Sequence, residues 1–394
     1  MSRLAALLTL AAAAGCAAQH ALPGPAPTPD WSAVTGYLDS AVAAGAAPGA
    51  VIGVSVGGRH WFYGTGRLAQ DDSTRPDSST IYDLASLTKA LGLTTAVMLG
   101  VAEGRLALDT PVVRYVPAFR GGGKAAVTLR HLLTHSSGLP AWRPLYLEAR
   151  TRPEALALAD TTALDSPPGV RFAYSDLGAI VLTQAVEAVY GGRLDSLLAR
   201  RAFGPLGMTS TRFLPPPDWA PCIAPTEDDP WRGRVLRGEV QDENAARLDG
   251  VSGHAGLFSD AGDLLRFADW LLEEWAGGQA DGRTAGSEYR SSRPSVPRSI
   301  VREFTRRQSL PPGSSRGLGW DTPSDSSSAG TRLAPGSFGH TGFTGTSIWI
   351  DPYRRLVIVL LSNRVHLTRE NQKWGPVRAA VADRVVLTLF PDAR

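Results

Sequence analysis

Ser86 and Lys89 lie three residues apart, the spacing at which two side chains share one face of a helix. A serine hydroxyl becomes a useful nucleophile only beside a group that takes its proton. The chain carries 40 Lys and Arg residues, and Lys89, Lys124 and Lys373 are its only lysines. Arg does not give up its proton in a protein, whereas a Lys acts as a base once its surroundings pull the amine below its ordinary pKa of about 10.4. Of the three lysines, Lys89 alone follows a Ser by three residues. The expected chemistry is acyl transfer to the Ser86 hydroxyl, with Lys89 helping to deprotonate it. If Ser86 opens its helix, its backbone N–H also points at bound substrate, where the helix dipole favours negative charge. Taken alone, the pair is better described as a helix N-cap followed by a solvated Lys.

The elements that must hold these residues follow from hydrophobic spacing. Residues 86–103 have a helical pattern that Gly104 stops. Residues 31–44 predict a helix, 49–56 a β-rich run, Gly57-Gly58 a turn and 60–66 a partner strand. Residues 105–250 carry mostly helical or irregular signals, including 129–134, 179–190 and 194–202, and read as an inserted helical lobe. A helix over 261–275 is followed at 277–299 by a stretch rich in Gly, Ser and Arg, expected to be a surface loop. Strands return at 345–350 and 356–361, and a helix over 374–389 ends the domain. Strands at both ends with helices between them imply an α/β (α+β) fold. An antiparallel sheet is flanked by the N- and C-terminal helices, a mostly helical lobe is inserted, and a cleft between the lobes can take a small molecule. The hydrolase domain is expected over 31–391.

Two further groups occur downstream of Ser86 and Lys89, in order: Tyr174-Ser175-Asp176 and His340-Thr341-Gly342. With HLLTHSSGLP at 131–140, GHAGLFS at 253–259 and FGHTGFTGTSIWIDP at 338–352, the chain resembles the serine β-lactamase and penicillin-binding protein superfamily, especially class C β-lactamases and related esterases and peptidases. The resemblance implies that Ser86 attacks a carbonyl while Lys89 and Tyr174 move protons. It also implies that the N–H groups of Ser86 and Phe343 hold the oxyanion, and that strand 340–343, with Thr341 and Gly342, lines the substrate. A phenol flanked by cations loses its proton more easily than one at pKa about 10, so Tyr174 can serve as base. Two positions depart from the family pattern. Asp176 stands where Asn is usual, so it either faces substrate as an acceptor or ion-pairs with a structural Arg. His340 stands where Lys is frequent, as in esterases and peptidases of the family. It is expected to be a weaker, pH-dependent partner for a substrate carboxylate and for Tyr174. Both departures argue against efficient β-lactam hydrolysis.

Other candidates point elsewhere. His131 and His135 have the spacing of a zinc site, but Leu occupies the place of its general-base Glu, which favours helix-end histidines bonded to backbone over a metallopeptidase. His254 reads as a structural turn residue. Glu239, Asp242, Glu243 and Asp249 read as a solvated acidic face with cation binding as the alternative. Cys222 reads as a small buried or half-buried side chain. No cofactor and no metal are expected.

The net charge of +3 lacks dense basic runs, which gives no reason to expect a nucleic-acid partner. Residues 1–16 have one Arg, an apolar run too short for a membrane span and small residues before Cys16. They predict an export signal; Ala13-Ala14-Gly15-Cys16 resembles a bacterial lipobox, which implies lipid on Cys16 with plain cleavage nearby as the alternative, and a place in the cell envelope or periplasm. Residues 17–30 form a Pro-rich linker. The expected partners are the membrane, through that lipid, and a small-molecule or peptide substrate. Peptidoglycan-derived peptides or muropeptides are the leading class. Small esters, β-lactams and a receptor that binds wall fragments without turnover remain alternatives.

Overall fold

Residues 49–56 read GAVIGVSV, apolar at nearly every position, and such a strand needs cover on both faces. The computed structural model, which describes residues 29–278, 293–325 and 327–393, supplies that cover. The strands β1 (Gly49–Val56), β2 (Arg59–Gly66), β3 (Phe338–Thr341), β4 (Ser347–Asp351) and β5 (Leu356–Ser362) form one sheet in the order β2-β1-β5-β4-β3. Every pairing is antiparallel, with Val51 opposite Leu361 and His340 opposite Ile348. The N- and C-terminal parts of the chain therefore meet at the centre of the sheet.

Alternation along β1 divides its side chains between two cores. Ala50, Ile52 and Val54 pack with Val34 and Leu38 of helix α1 (Ser32–Ala43) and with Val377 and Val381 of the C-terminal helix Gly375–Leu389. Val51 joins the opposite core, with Leu264, Leu265 and Phe267 of the helix Ala261–Ala276. Trp31, just before α1, stacks on Trp61 of β2 with ring centroids 4.0 Å apart, which ties the helix to the sheet edge.

The core around Val51 runs without a break into the helical lobe. There it includes Leu87, Leu91 and Val97 of the Ser86 helix and Leu177, Ile180 and Val181 of the helix Asp176–Tyr190. The helix after Ser86 begins with a π-helical turn, Lys89–Thr94, and continues as α-helix Thr95–Ala102. A π turn carries one extra residue per loop and occurs mostly at functional sites.

Two expected boundaries move. The strand placed at 340–343 is Phe338–Thr341, and the chain turns at Gly342, whose N–H bonds the Thr346 carbonyl at 2.8 Å. A Cβ at position 342 would lie 2.1 Å from Thr346 Oγ1 and 2.3 Å from the Leu84 carbonyl oxygen, so only Gly fits there. The stretch placed at 277–299 falls largely outside the described residues, and a helix begins at its end, Arg298–Thr305. Another unexpected helix, Arg152–Thr161, is capped by Thr151, which accepts from the Glu154 N–H. The export signal and nearly all of the linker also lie outside the described residues.

Candidate active site

Asp83, Leu84 and Ala85 deliver Ser86. Ala85 has φ +46°, a conformation rare for a residue with a side chain. Asp83 holds it there: one carboxylate oxygen accepts the Ala85 N–H at 2.8 Å, and the other accepts the Gln241 N–H at 2.6 Å. Thr344 and Thr346 donate their hydroxyls to the Asp83 and Leu84 carbonyls at 2.7 and 3.0 Å. The turn before Ser86 is thus bound to the turn after His340-Thr341-Gly342.

Burial pushes the Asp83 carboxyl up to about 6. A folded-state value above the unfolded one means that ionising Asp83 costs stability, fully above pH 6 and progressively less as pH falls through 6 toward about 4. Asp83→Asn removes this titration and one acceptor for the two N–H groups. Its urea midpoint is expected to gain less than that of the unmodified protein between pH 7 and pH 5. Its kcat is expected to fall about tenfold through loss of Ser86 placement. Equal midpoint gains in the two proteins would count against this account.

Lys89 is buried, and its ammonium makes two hydrogen bonds and an ion pair. Nζ lies 2.9 Å from Ser86 Oγ, 3.0 Å from the His254 carbonyl oxygen and 2.7 Å from Asp176 Oδ1. Burial alone would lower its pKa, but the opposite charge of Asp176, with Tyr174 beside it, outweighs burial and raises it. The expectation of a depressed Lys base is corrected here: Lys89 is a fully paired ammonium that donates to the Ser86 oxygen. Asp176 is corrected with it. Its ion-pair partner is Lys89 rather than a structural Arg.

Tyr174 sits with its ring 4.9 Å from Lys89 Nζ. Sequence reasoning set His135 aside, yet this residue clamps the segment on both sides of Tyr174. Its carbonyl accepts the Ala173 N–H at 2.9 Å, its Nδ1 accepts the Ser175 N–H at 3.1 Å, and its ring lies 4.4 Å from the tyrosine ring. Burial holds the His135 pKa well below the usual range, with the charges of Arg316 and Lys89 adding to it. His131 serves the helix Leu129–Leu133 as part of a capping box with Thr128. Both histidines therefore spend a ring nitrogen on backbone, as their place near a helix end suggested, rather than facing a common ion.

His340 is buried, and its Nδ1 donates to the Thr341 carbonyl at 2.8 Å. Nε2 is therefore the unprotonated nitrogen, and it has no partner among the described residues. Burial, then the charges of Arg316 and Lys89, push its pKa well below 6.5. The expected pH-dependent cation is a neutral acceptor instead. Arg316, which no motif singled out, carries the charge there: its guanidinium lies 5.3 Å from the Tyr174 ring.

Ser86, Tyr174, His340, Thr341, Gly342 and Phe343 line one cavity of about 380 Å³, together with Arg316, Arg364 and Arg378. The backbone N–H groups of Ser86 and Phe343 donate to no acceptor among the described residues, although Phe343 itself sits in a tightly bonded turn. Donors left free beside a nucleophile suit a developing oxyanion.

The remaining candidates support this site or stand apart from it. His254 is buried, with Nδ1 2.7 Å from Ser252 Oγ and Nε2 2.8 Å from Asp242 Oδ1. Burial opposes the charge on Asp242, but His254 and the Ala245 N–H bring its carboxyl down to about 2. The acidic run is therefore no uniformly solvated face: Asp242 supports the segment that receives Lys89, Glu239 pairs with Arg234 at 2.6 Å, and Glu243 pairs with Arg369 at 2.7 Å. Cys222 is exposed rather than buried. Cys16 lies outside the described residues.

Comparison with known proteins agrees with the geometry. The family model described as Beta-lactamase matches residues 34–383. A protein of Escherichia coli (strain K12) named "Putative D-alanyl-D-alanine carboxypeptidase" is 32% identical over 335 residues, covering 76% of this chain and 73% of that protein. A protein of the same name from Salmonella typhi is 31% identical over 337 residues, 77% of this chain and 73% of its own length. Among solved structures, a β-lactamase/D-alanine carboxypeptidase from Pseudomonas syringae aligns with TM-score 0.69 and 19% identity, over 90% of this chain and 98% of that one. EstCE1, a hydrolase with promiscuous acyltransferase activity, aligns with TM-score 0.68 and 22% identity, over 89% and 98%. At these identities the structures speak for the fold, while the family match and the relatives more than 30% identical speak for descent. With Ser86 bonded to the buried Lys89 and sharing one cavity of that fold with Tyr174 and His340-Thr341-Gly342, the chain belongs to the β-lactamase family and is a serine hydrolase.

Proposed function

We propose that the protein cleaves an amide through an acyl-enzyme at Ser86, and that its acyl donor is a peptide ending in a free carboxylate, of the kind released from peptidoglycan. One observation carries this reading: Ser86 opens into a cavity walled by Arg316, Arg364 and Arg378, with no Asp or Glu other than Asp321 among its lining residues. Three guanidinium groups favour an anionic substrate, and a planar fork suits a carboxylate. The carboxypeptidase name borne by the relatives from Escherichia coli and Salmonella typhi points the same way.

In the proposed sequence Tyr174 enters as the phenolate and its oxygen takes the Ser86 hydroxyl proton, since Lys89 already has all three protons bound and donates one toward Ser86 Oγ. The tetrahedral oxyanion accepts from the Ser86 and Phe343 N–H groups. Tyr174 returns the proton to the departing amine as the C–N bond breaks. A water then reverses the path: it attacks the ester carbon, gives its proton to Tyr174, and Ser86 leaves with that proton. Lys89 and Arg316 support negative charge on the tyrosine oxygen, and Asp176 keeps Lys89 charged and in place. The peptide backbone lies along β3, beside Thr341.

We place the enzyme in the cell envelope, held by lipid on Cys16, on the strength of residues 1–16. One experiment addresses chemistry and location together. Cells producing the full chain are treated with a fluorophosphonate, fractionated and analysed by mass spectrometry. The phosphonyl group is expected on Ser86, in the membrane fraction, and on no residue of Ser86→Ala. Cys16→Ser is expected to move the labelled protein to the soluble fraction. Unchanged labelling of Ser86→Ala would refute the mechanism, and an unmoved Cys16→Ser would refute the anchor.

A further inference from the structure

Arg378 adds to the positive charge of the cavity, but no proton-transfer or oxyanion step above uses it. Arg378 sits in the first turn of the C-terminal helix Gly375–Leu389, and among the described residues no carboxylate lies within ion-pairing distance of it. Its Nε is buried without a partner among the described residues. Burial, together with the like charge of Arg364, pushes its pKa down to about 10, so it remains a cation at neutral pH. A desolvated cation without a counter-ion is costly. Its one hydrogen bond shows what it is aimed at: Nη2 donates to the Gly342 carbonyl oxygen at 2.7 Å.

That carbonyl and the Phe343 N–H belong to the same peptide unit. Resonance joins them, so a positive charge on the oxygen draws density from the nitrogen and makes its N–H a stronger donor. The Phe343 N–H has no acceptor among the described residues. The unit is also held from its other sides. The Gly345 N–H reaches the Gly342 oxygen at 3.2 Å, and Arg364 Nε donates to the next carbonyl, that of Phe343, at 2.8 Å.

We propose that Arg378 is a positioning residue of the oxyanion hole, which orients and polarises the Gly342–Phe343 peptide so that its N–H binds the oxyanion more strongly. The inference rests on the reading of Ser86 as nucleophile and goes beyond it. A guanidinium in this cavity has an alternative use, direct binding of a substrate carboxylate, and the two uses separate by substrate. A ligand for a carboxylate matters only to substrates that carry one. A residue acting through the Phe343 N–H matters to every acyl group.

The test uses the purified protein and its Arg378→Met and Arg378→Lys variants with p-nitrophenyl acetate, which has no carboxylate, and with a fluorophosphonate whose adduct oxygen occupies the oxyanion position. Arg378→Met is expected to lower kcat on the ester about tenfold, a fraction of the 10²–10³ lost with a whole oxyanion donor, while KM stays within about twofold. Phosphonylation slows in parallel, and the ³¹P resonance of the Ser86 adduct shifts from its wild-type position. Arg378→Lys, which keeps a charge near the carbonyl, recovers part of the rate and part of the shift. The melting temperature of Arg378→Met does not fall, because the substitution removes a half-buried charge that has no carboxylate partner among the described residues.

An unchanged kcat on the ester with an unmoved ³¹P resonance would overturn the proposal, and a KM effect confined to carboxylate-bearing peptides would reassign Arg378 to substrate binding. A marked fall in melting temperature, with both variants equally slow and the resonance unmoved, would reduce the residue to structural support. Failure of the wild-type protein to form any Ser86 adduct would instead strike the underlying reading.

Discussion

Lys89→Met is expected to lower kcat by roughly 10³ and to destabilise the fold at the same time. The two effects have different origins. Activity falls because the ammonium that touches Ser86 Oγ at 2.9 Å is gone. Stability falls because Asp176, paired with Lys89 at 2.7 Å, loses its counter-charge. Removing one partner of a buried pair costs about 3–5 kcal/mol, and the partial exposure of Asp176 places this case toward the low end. Lys89→Met combined with Asp176→Leu is therefore expected to recover most of the stability and none of the activity. Urea midpoints and ester turnover for the two variants measure both quantities. A double variant no more stable than the single one would show that Asp176 is not the counter-ion inferred here.

Tyr174→Phe separates proton transfer from charge. It keeps the ring that packs 4.4 Å from His135 and removes only the hydroxyl. With Lys89 a fully engaged ammonium, Tyr174 is preferred over His340 and Asp321, the other proton acceptors lining the cavity, because its ring lies 4.9 Å from the Lys89 Nζ that touches Ser86 Oγ. Its loss is expected to reduce kcat by about 10²–10⁴, with KM and melting temperature little changed. Pre-steady-state turnover of p-nitrophenyl acetate would locate the loss in acylation, deacylation or both. A variant with wild-type kcat would return the base role to Lys89 and require a neutral amine there.

The two readings of His340 show how tertiary context decides protonation. In sequence, a His in place of Lys suggests a group that titrates near 6.5. In the folded protein, burial and the neighbouring Arg316 and Lys89 push it well below that value. The cation of this part of the site is Arg316, which comes from a segment with no motif of its own. Nothing in the sequence around Arg316 distinguished it from the many other arginines of an Arg-rich chain. The same holds for Arg378, whose bond to the Gly342 carbonyl joins positions 36 residues apart.

His135 and Asp83 were illegible for a related reason. His135 drew attention for its distance from His131 along the chain, yet its work is done through its carbonyl and ring against residues 173 and 175. Asp83 lies three residues before the nucleophile and looks like any turn residue, while its second acceptor oxygen serves Gln241, from a distant segment.

The sequence by itself determined the local parts of this protein. Short β-branched and apolar runs with Gly punctuation specified strands β1, β2 and β5 and the helices around them, because these depend on neighbours a few residues away. The ordered presence of Ser86, Lys89, Tyr174 and His340 specified the family, since chain order survives without coordinates. Only the tertiary structure decided the ionic state of the site. It paired Lys89 with Asp176, left His340 neutral, and brought Arg316, Arg364 and Arg378 around Ser86. The physical reason is that a charge responds to everything within several ångströms in a low-dielectric interior. Those neighbours come from distant parts of the chain. Ser86 and Lys89 could be found by spacing, but the role of Lys89 as a paired ammonium rather than a free base depended on a carboxylate 87 residues away.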